Sequence, residues 1–279
     1  MNRWNVVLGV DVSKKTIDIC WAEHKLFIQI SNNSEGFSKF KKWCKGNQIG
    51  LQETFIVLEY TGGYEYRFIQ FCESQSIAYR RVPGLEIKKS MGMVRGKSDK
   101  ADAFRIGRYG EEKIRRLEPS KPMDKNILEL KTLLSFRKRL VRERAGYQST
   151  VRERKHMYEV SDQDLLISTA KEKISANTQY IKKVEAQIMG LITSNESMRL
   201  NYRIITSIKG IGPVNAWMTI AYTENFSSFP DGRHYAGYVG VIPFEHTSGT
   251  SKKGRRRTSN LAQKELKQEL NLAAKIAIQ

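Results

Sequence analysis

Four acidic residues stand where a divalent cation could be held. Asp11 closes the apolar run Val-Val-Leu-Gly-Val, and Glu59 follows Phe55-Ile-Val-Leu directly before Thr61-Gly62-Gly63-Tyr64. An acid at the end of a buried strand carries a desolvation cost that calls for a partner. Asp99 and Asp102 lie three apart in Lys97-Ser-Asp99-Lys-Ala-Asp102-Ala103, on one face of a helix. Taken alone, these two also read as a helix-start charge and a surface partner of Arg105 or Lys97. Two adjacent strands with a helix packed on them would bring all four together, and an oxygen-only cluster of that kind suits Mg²⁺ or Mn²⁺. Asp18, Glu53, Glu65 and Glu86 lack this setting and read as surface or structural residues.

The elements that must position these acids follow from periodicity. Val6 to Val12, Ile17 to Ala22 and Leu26 to Ile30 are three short strands in a meander. A helix around Phe37 to Cys44, a strand Phe55 to Leu58, a helix near Tyr64 to Ser74, a strand Ile77 to Val82 and a helix from about Ser98 come next. The order βββαβαβα is that of a ribonuclease H-like fold, which by itself establishes no activity. From Ile127 to Leu191 Gly and Pro become scarce. Ile167, Ala170, Ile174, Asn177, Ile181, Val184, Ile188 and Leu191 alternate three and four apart, the heptad signature of a coiled coil. An earlier stripe through Ile127, Leu130, Leu134, Val141 and Val151 is interrupted by Arg137, Arg144 and Gln148, and reads equally as an amphipathic bundle helix. Ser161 and Asp164 form a candidate capping box for the second helix. The pair could fold as a hairpin in one chain or join two chains.

Beyond Tyr202 the pattern changes again. Ile204-Ile-Thr-Ser-Ile-Lys209-Gly210-Ile-Gly212-Pro213 has the form of a helix-hairpin-helix turn, where glycines bring backbone amides to a DNA phosphate, or of a plain glycine turn between helices. The run Lys252-Lys253-Gly-Arg255-Arg256-Arg257 suits phosphate binding or a solvated tail. The boundaries expected are residues 1–118, 119–200 and 201–279, the last a small, mainly α-helical domain.

A formal charge of +19 over 279 residues points to a polyanionic partner, nucleic acid first, through counterion release. No segment approaches the ~18 consecutive apolar residues of a membrane span, and no secretory signal opens the chain, so a cytoplasmic location without membrane contact is expected. Cys20, Cys44 and Cys72 are too scattered for a zinc finger or a disulfide framework. The four histidines show no ligand spacing.

Gly9-Val-Asp11-Val-Ser-Lys14, then Glu59-x-Thr61-Gly62-x-Tyr64, Val82-Pro83 and Lys97-Ser-Asp99-Lys-Ala-Asp102-Ala103 together resemble the DEDD transposases of bacterial insertion sequences, the insertion-sequence-110 type, to which Piv-like DNA invertases also belong. Gly210-Ile-Gly212, Tyr235-Ala-Gly-Tyr-Val-Gly240-Val-Ile-Pro243 and His246-Thr-Ser248-Gly249 resemble that family's second transposase domain. The resemblance implies a Holliday-junction-resolvase-like catalytic domain, a coiled-coil linker and a small helical domain bearing a nucleophilic serine. Asp11, Glu59, Asp99 and Asp102 would hold Mg²⁺, and Ser248 would attack DNA, with Thr247 and Ser251 as competitors for that role. An element-encoded noncoding RNA would guide the choice of site, and coiled-coil pairing would give a homodimer or homotetramer. Where the family often continues Ile-Ser-Lys-x-Gly, this chain has Thr258-Ser-Asn-Leu-Ala262, and it stops at Gln279 in a helix where relatives usually run further.

Three other functions fit parts of the pattern. A structure-specific metal-dependent nuclease would need no serine. The Gly9-to-Lys14 segment also resembles the first phosphate loop of actin-like sugar kinases, but no second glycine-rich motif accompanies it. A nucleic-acid-binding scaffold would tolerate neutral residues in place of the acids.

Overall fold

The computed structural model describes residues 4–60, 62–90, 98–122, 124–158, 160–227, 229–248, 252–258 and 262–279, with residues 244–248 and 252–257 described by backbone alone. The chain divides into two compact units, Met1–Pro122 and Met123–Gln279.

The first unit is α/β. Strands β1 (Val6–Val12), β2 (Thr16–Trp21) and β3 (Leu26–Ser31) form an antiparallel meander, and β4 (Thr54–Glu59) and β5 (Ala78–Val82) add in parallel on the other side of β1, giving the order β3-β2-β1-β4-β5. The central strands β1 and β4 are buried on both faces, as their unbroken apolar runs require. Helices α1 (Ser34–Gly46) and α2 (Tyr66–Ser74) stack through Phe37, Phe40, Phe68 and Phe71. A short helix α3 (Gly84–Ser90), absent from the sequence reading, follows β5, and α4 (Asp99–Lys113) begins at a Ser98 cap that accepts from Ala101 N.

Helix α4 lies directly on the sheet because small residues let two backbones meet. A Cβ on Gly9 would stand 2.0 Å from Gly107 N and 2.3 Å from Ala103 O, while one on Gly110 would meet Val7 and Val57 side chains at 2.7 Å. Along α4, Gly110 meets Val7 and Gly107 meets Gly9, so the helix runs antiparallel to β1. Its first turn therefore points toward the Asp11 end of that strand.

The second unit is mainly helical. Helices α5 (Lys125–Tyr158) and α6 (Leu165–Ser194) form an antiparallel hairpin, in which Arg137 bonds Glu185, Arg144 bonds Thr178 and Arg154 bonds Asp164. The arginines that interrupt the first stripe are thus cross-helix partners. On α6 the buried positions are Ile167, Ala170, Asn177, Ile181, Val184, Ile188 and Ile192, with Ile192 rather than Leu191 closing the stripe. The capping box is corrected. Asp164 alone is the cap, accepting from Leu166 N and Ile167 N, while the Ser161 hydroxyl accepts from Gln163 N before the helix begins. Helices α7 (Glu196–Thr206) and α8 (Pro213–Tyr222) pack Met198, Ile205, Ala216, Trp217 and Ile220 onto the base of the hairpin with Leu130, Ile188 and Ile192. Helix α9 (Gly232–Val239), a two-stranded ribbon of β6 (Phe244–Ser248) and β7 (Lys252–Arg257), and α10 (Lys264–Ala277) complete the unit, with Leu266 buried against Met218 and Val239.

No helix among the described residues is long and apolar enough to cross a membrane. The three cysteines are free and buried, and burial pushes the Cys20 thiol up to about 11 and Cys44 to about 12, with Cys72 higher still.

Candidate active site

The parallel register pairs Val10 with Leu58, so Asp11 and Glu59 are the next positions along two hydrogen-bonded strands. Both sit at the carboxyl end of the parallel strands, where the chain leaves β1 for β2 on one side of the sheet and β4 lies on the other. Ligands of open α/β sheets bind at such a switch point. Alternation puts Asp11 on the face of Val7 and Gly9, and Glu59 on that of Val57, which is the face α4 covers. Asp99 and Asp102 open that helix, the first exposed and the second half-buried. Asp102 also takes a 2.7 Å ion pair from Arg105, the surface pairing that its spacing allows.

Asp11 is where the four meet electrostatically. Its carboxyl is raised to about 6, first by burial and then by the charges of Asp102, Glu59, Asp99 and Asp18 in turn. The last residue is one the sequence reading set aside. Asp18 is directly opposite Asp11 in the antiparallel register, is almost fully buried, and accepts Gln29 Nε2 at 3.0 Å. Burial raises its carboxyl too. The only signal in the sequence is an acid between Ile17 and Ile19, and its meaning depends on a strand register that composition does not reveal. Glu65, likewise set aside, is buried in an ion pair with Arg81 at 2.9 Å and accepts Gly63 N, which fits a structural role. Asn32 braces the same end of the sheet, donating to Ser13 O and Tyr64 O and so joining the segments that follow Asp11 and Glu59.

The donor set fits a hard divalent cation: oxygen ligands only, like charges facing one another across adjacent strands, and a central acid on which every influence raises the pKa. Among the described residues no three such side chains already stand close enough to hold one ion. The acids surround Asp11 without closing on a common point.

In the second unit, Lys209 is exposed in the turn between α7 and α8. Gly210 has φ +87°, and a Cβ there would meet Ala273 O of α10 at 2.3 Å, so packing alone explains this glycine. Gly212 caps α8 with Pro213 behind it, and the space that its Cβ would fill is open. Ser248 ends β6 opposite Lys252, and Thr247 pairs with Lys253, so the two segments are the strands of one ribbon and Lys252 to Arg257 are not a solvated tail. Arg255, Arg256 and Arg257 complete β7. Thr61, Lys97, Gly249, Ser251 and Ser259 to Leu261 lie outside the described residues.

Residues 8–159 match the DEDD transposase family of IS110, and residues 202–279 match the family described as Transposase IS116/IS110/IS902. The chain belongs to the IS110 family of transposases. It is 29% identical over 280 residues to a pilin gene-inverting protein of Moraxella lacunata and 27% identical over 278 residues to that of Moraxella bovis, covering 96% of this chain and 82% of each relative. IS110-family membership makes the protein a DNA recombinase, and the acids at the sheet's carboxyl end fall within the first matched segment.

Proposed function

We propose that this transposase cuts and rejoins DNA with a divalent cation, Mg²⁺ or Mn²⁺, held by Asp11, Glu59, Asp99 and Asp102, and with Ser248 as nucleophile. The observation that carries this reading is the convergence of four further carboxylates on half-buried Asp11 at the carboxyl end of β1. The first unit reads as ribonuclease H-like, on the strength of its strand order and mixed strand directions. The α5–α6 hairpin supplies the coiled-coil element, through which two or four copies assemble.

When bound, the cation polarises the phosphate and lowers the cost of deprotonating a hydroxyl. Asp11 and Glu59 sit on strands fixed by backbone pairing on both sides, so their spacing is set before any ligand arrives. Asp99 and Asp102 ride on α4, whose closeness to the sheet depends on Gly9 and Gly107. Ser248 Oγ forms a bond to phosphorus as the phosphorus–oxygen bond to one sugar breaks; the serine proton is lost and the departing sugar oxygen gains one. Reversal with another strand's hydroxyl rejoins the DNA without ATP, because the phosphoserine conserves the linkage energy. Lys209, Gly212 and the basic residues of β7 hold the backbone, and an element-encoded RNA guides site choice.

The test uses a plasmid carrying the gene with its native flanking DNA. Asp11→Asn and Glu59→Gln are expected to abolish strand cleavage and leave most of the DNA affinity, since the basic surface supplies that affinity. Parallel loss of binding and cleavage would sink the metal-cluster reading.

A further inference from the structure

We infer that Gly84 is a positioning residue for Glu59: its missing side chain is the space in which the catalytic carboxylate rests. This rests on the reading of Glu59 as a metal-holding acid. A Cβ on Gly84 would stand 1.9 Å from Glu59 Oε1, 2.7 Å from its carboxyl carbon and 3.3 Å from its Cγ. The three nearest atoms thus all belong to that one side chain.

The two partners are not equally free to move. Glu59 pairs with Val82 in the parallel register, and Tyr60 N donates to Val82 O at 3.0 Å, so β4 and β5 are locked side by side up to Pro83. Pro83 has a fixed φ and its carbonyl accepts Glu86 N and Ile87 N, which closes the first turn of α3. Ile87 is buried in the core and anchors that turn. The backbone around Gly84 is therefore held from two directions. What can give way is the end of the Glu59 side chain, which has three rotatable bonds. A methyl at position 84 would cost the fold little and displace the carboxylate instead. Ordinary contact begins near 3.4 Å, so Oε1 must retreat by about 1.5 Å, the length of one carbon–carbon bond. Active-site groups lose function on shifts of about 1 Å.

The same arithmetic supplies a control. An aspartate in place of Glu59 is shorter by one methylene, so it draws the carboxylate back by the distance that a methyl on Gly84 demands. Four proteins test this: wild type, Gly84→Ala, Glu59→Asp and the double variant. Each is melted in EDTA and in Mn²⁺, and assayed for recombination on the plasmid described above. Gly84→Ala is expected to melt like wild type in EDTA, to lose most of the Mn²⁺-induced rise, and to recombine at least tenfold less. The double variant is expected to match Glu59→Asp alone in both the Mn²⁺ response and recombination, because the methyl then meets no carboxylate to displace. Wild-type behaviour of Gly84→Ala would overturn the inference, as would an EDTA melting point that Gly84→Ala lowers both in the wild-type chain and in the Glu59→Asp chain. Glu59→Gln separates the two claims: if it recombines normally, the metal-holding reading itself fails, whereas inactive Glu59→Gln beside fully active Gly84→Ala removes only the role of Gly84.

Discussion

The two units hold their candidate chemical groups by opposite means. In the first, Asp11 and Glu59 end strands that are hydrogen-bonded on both sides within a five-stranded sheet, and the cost is like charges packed around a half-buried acid. In the second, Ser248 ends a strand of a ribbon that pairs with no further strand among the described residues, and five of the six residues of β7 are basic. A two-stranded ribbon is marginal by itself, and like charges along it add repulsion. Asp11 and Glu59 are held in place by backbone pairing on both sides, and Ser248 lies on an element whose positive charges a polyanion would offset. The difference teaches that the acidic and the basic groups lie in separate units, so that on the proposed function a cation would offset charge in the first and DNA in the second.

The largest effect that would break this comparison is at the serine. Ser248→Ala is expected to eliminate covalent protein–DNA attachment and strand exchange while metal response and DNA binding persist, as read by denaturing gels of trapped complexes. An active variant would remove Ser248 as nucleophile. Next comes salt: with +19 formal charge, affinity for duplex DNA should fall roughly a thousandfold or more between 50 and 200 mM salt. A flat titration would contradict the polyanion argument. The Gly9 contact should show as stability. Gly9→Ala forces a Cβ into the α4 backbone and is expected to cost about 3 kcal/mol, measured as a shift of the urea midpoint at constant slope; a midpoint like that of wild type would show that α4 is not held as described.

The smallest effect sharpens the electrostatic half. The folded Asp11 carboxyl titrates near 6 against an ordinary 3.8, so the native state holds an extra proton between those values. Its contribution to stability therefore falls as pH rises through that window and stays low above it. Metal-free Asp11→Asn should melt above wild type at pH 8, with the advantage vanishing as pH drops below 3.8. An advantage that grows toward acid would refute the like-charge account.

Much of this was legible in the sequence because its signals are local. Apolar runs ending in acids mark β1 and β4, and the spacing from Ile167 to Ile188 marks α6. What stayed hidden depends on partners far along the chain. Asp18 gains meaning only through its register with Asp11. The β6–β7 ribbon lacks the apolar alternation that announces a strand, so Lys252 to Arg257 resembles a tail. Helix α3 is too short to show a period, and the space at Gly84 exists only because β4 and β5 lie side by side. Asp164 rather than Ser161 caps α6, and its second oxygen meets Arg154 of α5, a partner that the local spacing does not announce.

The three buried cysteines have a practical consequence. Thiol reagents attack the thiolate, and none of the native thiols is both accessible and ionised near neutral pH. The wild-type chain is thus already a silent background for fluorophore or spin labelling. A single cysteine introduced at Leu165, which is 78% exposed where α6 leaves the hairpin turn, would be the one reactive sulfur, and dye pairs on mixed copies would report assembly as it happens.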